Sequence, residues 1–262
     1  MSIKSKVLAA AATLTLVGGA GAAGVLGAGT ASAATPSCGG SCIDIFSHQF
    51  GTHHSPNYVV DVLRQGEKVG QPVILFRTAN YDPAEDWTVS FQGTTADFQA
   101  AGLVGAAVAL HYGCIAGDNF PDCYGDNTPG FQVNDPAFEI EYAPYGVDSG
   151  LCMGVPNASP TQQEKVSLQP CGVSARTVWI ADIFDSPSTL FNGYIPLING
   201  TDNNFSQPYV LTYPSAGYPT NMPRPQLEVT NLSGSSHGFP PGPQLGTVND
   251  NQLFGADFGV LN

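Results

Sequence analysis

Residues 118–127 concentrate side-chain oxygens as a hard cation would require. Asp118, Asn119, Asp122, Asp126 and Asn127 fall in this one stretch, and calcium takes six to eight oxygen ligands on a flexible loop. Asp118, Asp122 and Asp126 are therefore the candidate calcium ligands, although the alternation and closing Glu of an EF-hand are missing. A polar loop held by Asx turns is the competing reading. His48, His53 and His54 form a second group, near Asp44 in sequence. Three imidazoles beside a carboxylate suit zinc or copper. The adjacent pair His53-His54 points to opposite faces of an extended chain, however, so solvated loop histidines are expected.

Two further patterns bear on catalysis. Gly234-Ser235-Ser236-His237-Gly238 matches the Gly-x-Ser-x-Gly phrase of a nucleophile elbow. That elbow needs a strand before it and a helix after it, and Phe239-Pro240-Pro241-Gly242-Pro243 follows, which excludes the helix. Glu139 and Glu141 are paired carboxylates, but alternation along Phe138–Tyr142 accounts for them: three apolar residues face inward and two glutamates outward. No nucleophile, base and acid are set by spacing, so the chain is expected to be non-catalytic.

The elements that would position such residues are strands. Val59–Leu63, Val73–Phe76, Trp87–Phe91, Phe138–Tyr142, Val178–Phe184, Tyr194–Ile198, Tyr209–Tyr213 and Leu227–Leu232 are β-branched or aromatic runs bounded by Gly, Pro, Asn and Ser. Val104–Tyr112 also reads as a strand, because Gly102 and Gly105 interrupt its helical character. Residues 233–252 read as a long Pro/Gly-rich loop. One phrase returns. Gly150-Leu151-Cys152-Met153-Gly154-Val155 is followed by Val166-Ser167-Leu168-Gln169-Pro170-Cys171 and then Trp179. Cys42-Ile43-Asp44-Ile45, Gly70–Leu75 and Trp87 repeat that layout, and Tyr209–Thr212, Leu227–Val229 and Asn251–Phe254 repeat it without cysteines. Units this short cannot bury their own apolar faces, so they must pack around a shared core. Trp87 and Trp179 are expected inside that core, each needing a partner for its N–H.

These phrases resemble the ricin-type β-trefoil lectins, whose repeats carry a Gly-x-Cys-Leu-Asp-Val strand, a Val-x-Leu-aromatic strand and a terminal Gln-x-Trp. The resemblance is best over 146–184, weaker over 38–90 and faint over 191–260. It implies an all-β fold, β-trefoil-like with pseudo-three-fold repeats, in which 92–137 is an insertion, disulfide-braced, or a degenerate fourth repeat. It also implies sugar sites built from a carboxylate, an aromatic ring and an amide. Carried over, the first repeat offers Asp44 as the carboxylate and Phe76 as the ring, with Ala84 and Glu85 where the family has Asn and Gln. The second offers Gly154, Gln169, Arg176 and Thr177; the third offers Leu211, Thr230, Asn251 and Gln252. The ligand-binding candidates are thus Asp44, Phe76, Glu85, Asn251 and Gln252, and no repeat keeps a full set.

Compartment and charge narrow the function. Lys4 and Lys6 precede an uncharged Ala/Gly/Leu/Val run that ends at Ala31-Ser32-Ala33, which reads as a signal peptide over 1–33. The leader is similar to actinobacterial ones and has no Arg-Arg pair, so a general secretory route is expected. A single all-β domain over 34–262 would follow. Every acidic residue lies beyond the leader, leaving 6 basic against 21 acidic residues. That balance argues against nucleic acid and anionic membranes as partners. Six cysteines permit 15 pairings, and their spacing suggests local bridges: Cys38–Cys42, Cys114–Cys123 and Cys152–Cys171. The expected function is a secreted, monomeric binding protein for an extracellular glycan or protein, needing no cofactor other than calcium at 118–126. The alternatives are a scaffold or protease inhibitor acting through loops such as 233–252, and a secreted hydrolase.

Overall fold

The computed structural model describes residues 38, 42–47, 58–77, 81–112, 136–181, 195–205, 207–214, 223–229 and 250–257, the side chains of 250, 256 and 257 excepted. Twelve strands form three sets of four. The first set is β1 (Asp44–Ser47), β2 (Tyr58–Val62), β3 (Val73–Arg77) and β4 (Trp87–Thr94). The second is β5 (Pro136–Tyr142), β6 (Leu151–Gly154), β8 (Ser167–Pro170) and β9 (Val178–Ala181), with the short β7 (Glu164–Lys165) between β6 and β8. The third is β10 (Leu197–Asn199), β11 (Tyr209–Thr212), β12 (Gln226–Val229) and β13 (Phe254–Asp257).

The first and last strand of each set close a barrel of six antiparallel strands. β4 pairs β5, β5 pairs β9, β9 pairs β10 and β13 pairs β1. Single bridges, Ile43 with Trp87 and Ile195 with Phe254, supply the two remaining seams. The register is three-fold. Trp87, Trp179 and Phe254 stand opposite Ile43, Phe138 and Ile195 of their own sets. On the other side they stand opposite Tyr142, Asn199 and Ser47 of the next set. The chain is therefore a β-trefoil.

The middle strands of each set form hairpins, with Val60 opposite Leu75, Met153 opposite Leu168 and Leu211 opposite Leu227. The three hairpins meet through backbone bonds, among them Gly70 N–H to Leu168 O at 2.8 Å, Val166 N–H to Pro225 O at 2.9 Å and Leu75 N–H to Pro223 O at 2.8 Å. One core lies between them and the barrel, and all six of those aliphatic residues are fully buried in it with the three aromatic residues. The indole N–H of Trp87 donates to Val60 O and that of Trp179 to Met153 O, each at 2.9 Å. A phenyl ring needs no such partner, so Phe254 fills the third place.

Between β4 and β5 the structure departs from the strand expected at 104–112. Two helices stand there, α1 (Thr95–Ala100) and α2 (Ala106–Tyr112). Thr94 and Asp97 form a capping box at the start of α1. Gly102 takes a left-handed turn (φ 76°) that α1 could not continue through. Phe98, Val108, Ala109 and Tyr112 then bury one face against Ala137, Val178, Ile180, Ile198 and Val210, a second core outside the barrel. Residues 95–112 are thus an excursion between the first and second sets.

The glutamates of β5 also differ from expectation. Glu139 and Glu141 are buried, 2% and 6% exposed. Glu139 accepts from Gly172 N–H and from the Thr177 hydroxyl, and Glu141 accepts from Gly150 N–H. They fasten the turns flanking the β6–β8 hairpin to the barrel wall. Disulfides join Cys38 to Cys42 and Cys152 to Cys171, with Cα–Cα distances of 5.8 and 5.1 Å. Cys114–Cys123 lies outside the described residues.

Two stability predictions follow from this packing. Trp179→Phe leaves the buried Met153 carbonyl unpaired and should cost about 1–3 kcal/mol, read as a lower denaturant midpoint with an unchanged m-value. Replacing Cys152 and Cys171 together by Ala should cost about 3 kcal/mol, visible in a thermal melt as a fall of roughly 6–12 °C.

Candidate functional site

The hairpin register fixes which residues occupy equivalent places in the three repeats. Val60, Met153 and Leu211 are equivalent, so the residues after them, Asp61, Gly154 and Thr212, are equivalent too. Across the hairpin, Phe76, Gln169 and Glu228 correspond. Each set also has a 3-10 turn just before its barrel-closing strand: Pro83–Glu85, Ala175–Thr177 and Asp250–Gln252. Glu85, Thr177 and Gln252 hold the same position in these turns.

This register moves three of the expected positions. Asp44 lies in the barrel strand β1, buried and opposite Asp257, and not on a hairpin. In the first repeat Asp61 is the residue equivalent to Gly154 and Thr212. In the third repeat Thr212 and Glu228 stand where Leu211 and Thr230 were expected. Phe76 lies on β3, Glu85 ends the first 3-10 turn, and Asn251 and Gln252 lie in the third. Asp118, Asp122, Asp126, His48, His53, His54 and Ser236 lie outside the described residues.

The first repeat gathers three carboxylates. Asp61, Asp82 and Glu85 each bring an oxygen within 4.8 Å of the other two. Asp61 is 4% exposed and Glu85 1%; Asp82 is half-buried. The Asp82 side chain accepts from Ala84 N–H at 3.0 Å and from the Gln65 amide at 3.2 Å. Pro83 follows it and starts the 3-10 turn that carries Glu85 over the hairpin. The Asp61 carboxylate makes no hydrogen bond among the described residues. Phe76, half-buried, shares its hairpin face, because Asp61 pairs with Ile74 and Val59 pairs with Phe76. The backbone around the cluster is strained: Arg64, Gln65 and Tyr81 hold φ of 57°, 53° and 61°. Tyr81 leaves its ring largely exposed beside Asp82.

Among the described residues the other two repeats keep no such cluster. A side chain at Gly154 would meet Arg176 O at 2.6 Å, so the second 3-10 turn lies directly on its hairpin. Arg176 donates to Ser174 Oγ and Pro156 O, and Thr177 donates to Glu139. In the third repeat the Gln252 amide donates to Thr212 Oγ1 at 3.2 Å and Val229 O at 3.1 Å, and Asn251 donates to Tyr213 O at 2.8 Å. These amides hold the turn to β11 and β12. The remaining groupings of acidic residues with sulfur involve disulfide cysteines, which offer no thiolate.

No family model matches the chain, and no curated protein matches it. Among solved structures it is similar to the designed 3-fold symmetric protein ThreeFoil, with 12% identity and a TM-score of 0.44 over 82% of this chain and 97% of that one. It is similar to the Rhizoctonia solani agglutinin, with 10% identity and a TM-score of 0.44 over 82% of this chain and 93% of that one. It is also similar to a mosquitocidal holotoxin, with 11% identity and a TM-score of 0.45; 82% of this chain matches, spanning 17% of the toxin chain.

Burial, and then the charge of Asp82, push the Asp61 carboxyl up to about 7. An acid raised in the folded state favours that state while protonated. Its contribution is complete below the ordinary carboxylate value and is lost as pH rises through about 7. In metal-free buffer, wild-type stability should therefore fall between about pH 4 and pH 8, and Asp61→Asn should flatten that fall. The variant should gain up to about 4 kcal/mol over wild type at the alkaline end, measured by urea denaturation.

Proposed function

We propose that this is a secreted, non-catalytic binding protein that takes a carbohydrate at its first repeat. The observation that carries the reading is the asymmetry between repeats. The second and third occupy the corresponding side chains with internal bonds or exclude them by close packing. The first leaves Asp61 buried, without a hydrogen bond among the described residues, on the same hairpin face as a half-buried ring, Phe76. A carboxylate accepts hydrogen bonds from two adjacent sugar hydroxyls, and an aromatic face packs on the C–H side of the ring. Disulfides in the described chain and the excess of acidic residues suit an oxidising, extracellular setting. Among the described residues no helix is long and apolar enough to cross a membrane.

Binding to a glycan array or to insoluble polysaccharides tests the reading. Asp61→Asn and Phe76→Ala should each weaken binding by tenfold or more while the circular dichroism spectrum stays that of wild type. Gln169→Ala, in the second repeat, should bind as wild type does. Undiminished binding by both first-repeat variants would place the ligand elsewhere and defeat the proposal.

A further inference from the structure

We propose that Asp61, Asp82 and Glu85 bind a calcium ion in the first repeat. Calcium sits about 2.3–2.6 Å from its oxygens, so oxygens sharing one ion lie within about 5 Å of each other. The three carboxylates meet that limit, each within 4.8 Å of the others. The donors are all oxygen, which favours a hard cation over zinc or copper. Three carboxylates leave further coordination positions open, and calcium, tolerant of irregular geometry, can fill them with water or ligand hydroxyls.

Two observations beyond the cluster of charge point to a ligand. Asp61 is more than nine-tenths buried, aims its carboxylate at Asp82 and Glu85, and makes no hydrogen bond among the described residues. A buried carboxylate is retained where something pairs with it. The Tyr142 hydroxyl, from the neighbouring barrel strand, is also buried without a hydrogen-bond partner among the described residues, in the field of Glu67, Asp61, Asp86 and Asp82. An unpaired hydroxyl thus faces the charge of several negative groups, which a bound cation would offset. The strained turns at Gln65 and Tyr81 hold Asp82 against the hairpin, so the cluster is pre-formed by the fold.

The ion would also give the hydroxyls of a sugar a direct ligand position. That extension rests on the glycan reading above; cation binding itself does not.

The test uses the full chain, dialysed against EDTA and titrated with calcium chloride, read by calorimetry and thermal melts. Wild type should bind one calcium ion at the cluster and gain about 5 °C in Tm near pH 7.5 at saturation. Asp61→Asn and Asp82→Asn should each abolish that shift; Glu85→Gln should do so if either of them fails to fold. The triple variant Asp118→Asn, Asp122→Asn, Asp126→Asn should retain it. No shift in wild type, a shift that survives Asp61→Asn, or one lost only in the triple variant would overturn the site. Glycan binding that persists in EDTA beside a normal calcium shift overturns only the link between ion and sugar.

Discussion

Three large rings at the mouth of the barrel are the constraint on which the molecule depends. Trp87, Trp179 and Phe254 begin the closing strands of the three sets and are almost wholly withdrawn from water. Each reaches from the barrel to the hairpin layer, and both indoles fasten to a hairpin carbonyl. Four strands cannot enclose a ring of that size, but twelve strands arranged around one axis can. The hairpin backbones then have to interlock, because the apolar residues above the rings are shared among all three sets.

Symmetry at the core leaves freedom at the rim. The 3-10 turn before each closing strand lies over the neighbouring hairpin, and its contents decide whether anything else fits there. In the second repeat a backbone oxygen fills the space, and in the third a pair of amides does. The first turn begins with Asp82-Pro83 and presents carboxylates, whose mutual repulsion resists the close packing seen in the other two. Like charges gathered under a hairpin are unfavourable for folding alone, and that is the physical reason to connect them with a ligand.

Much of this was legible in the chain. Cys152 to Trp179 carries its repeat openly, and Tyr209 to Phe254 carries it faintly, without cysteines but with the aromatic endpoint kept. The first repeat misled at one point. Cys42-Ile43-Asp44-Ile45 imitates the hairpin phrase, but Cys42 bridges to Cys38 and the segment belongs to the barrel. The true counterpart, Val59-Val60-Asp61-Val62, lacks the cysteine yet keeps Asp-Val. Periodicity could not reveal α1 and α2, which span six and seven residues; the Thr94-Thr95-Ala96-Asp97 stretch held the signal, as a capping box with Asp in place of Glu. Alternation gave the facing of Glu139 and Glu141 but not the layer of turns that covers them. Asp82 was invisible as a site residue because only the three-dimensional turn brings it to Asp61.

The seam between β13 and β1 carries a consequence for how the molecule is made. Four consecutive residue pairs there join the last described strand to the first, so the ring stays open until β13 has been made. Closure of the ring is then the last pairing that chain order permits.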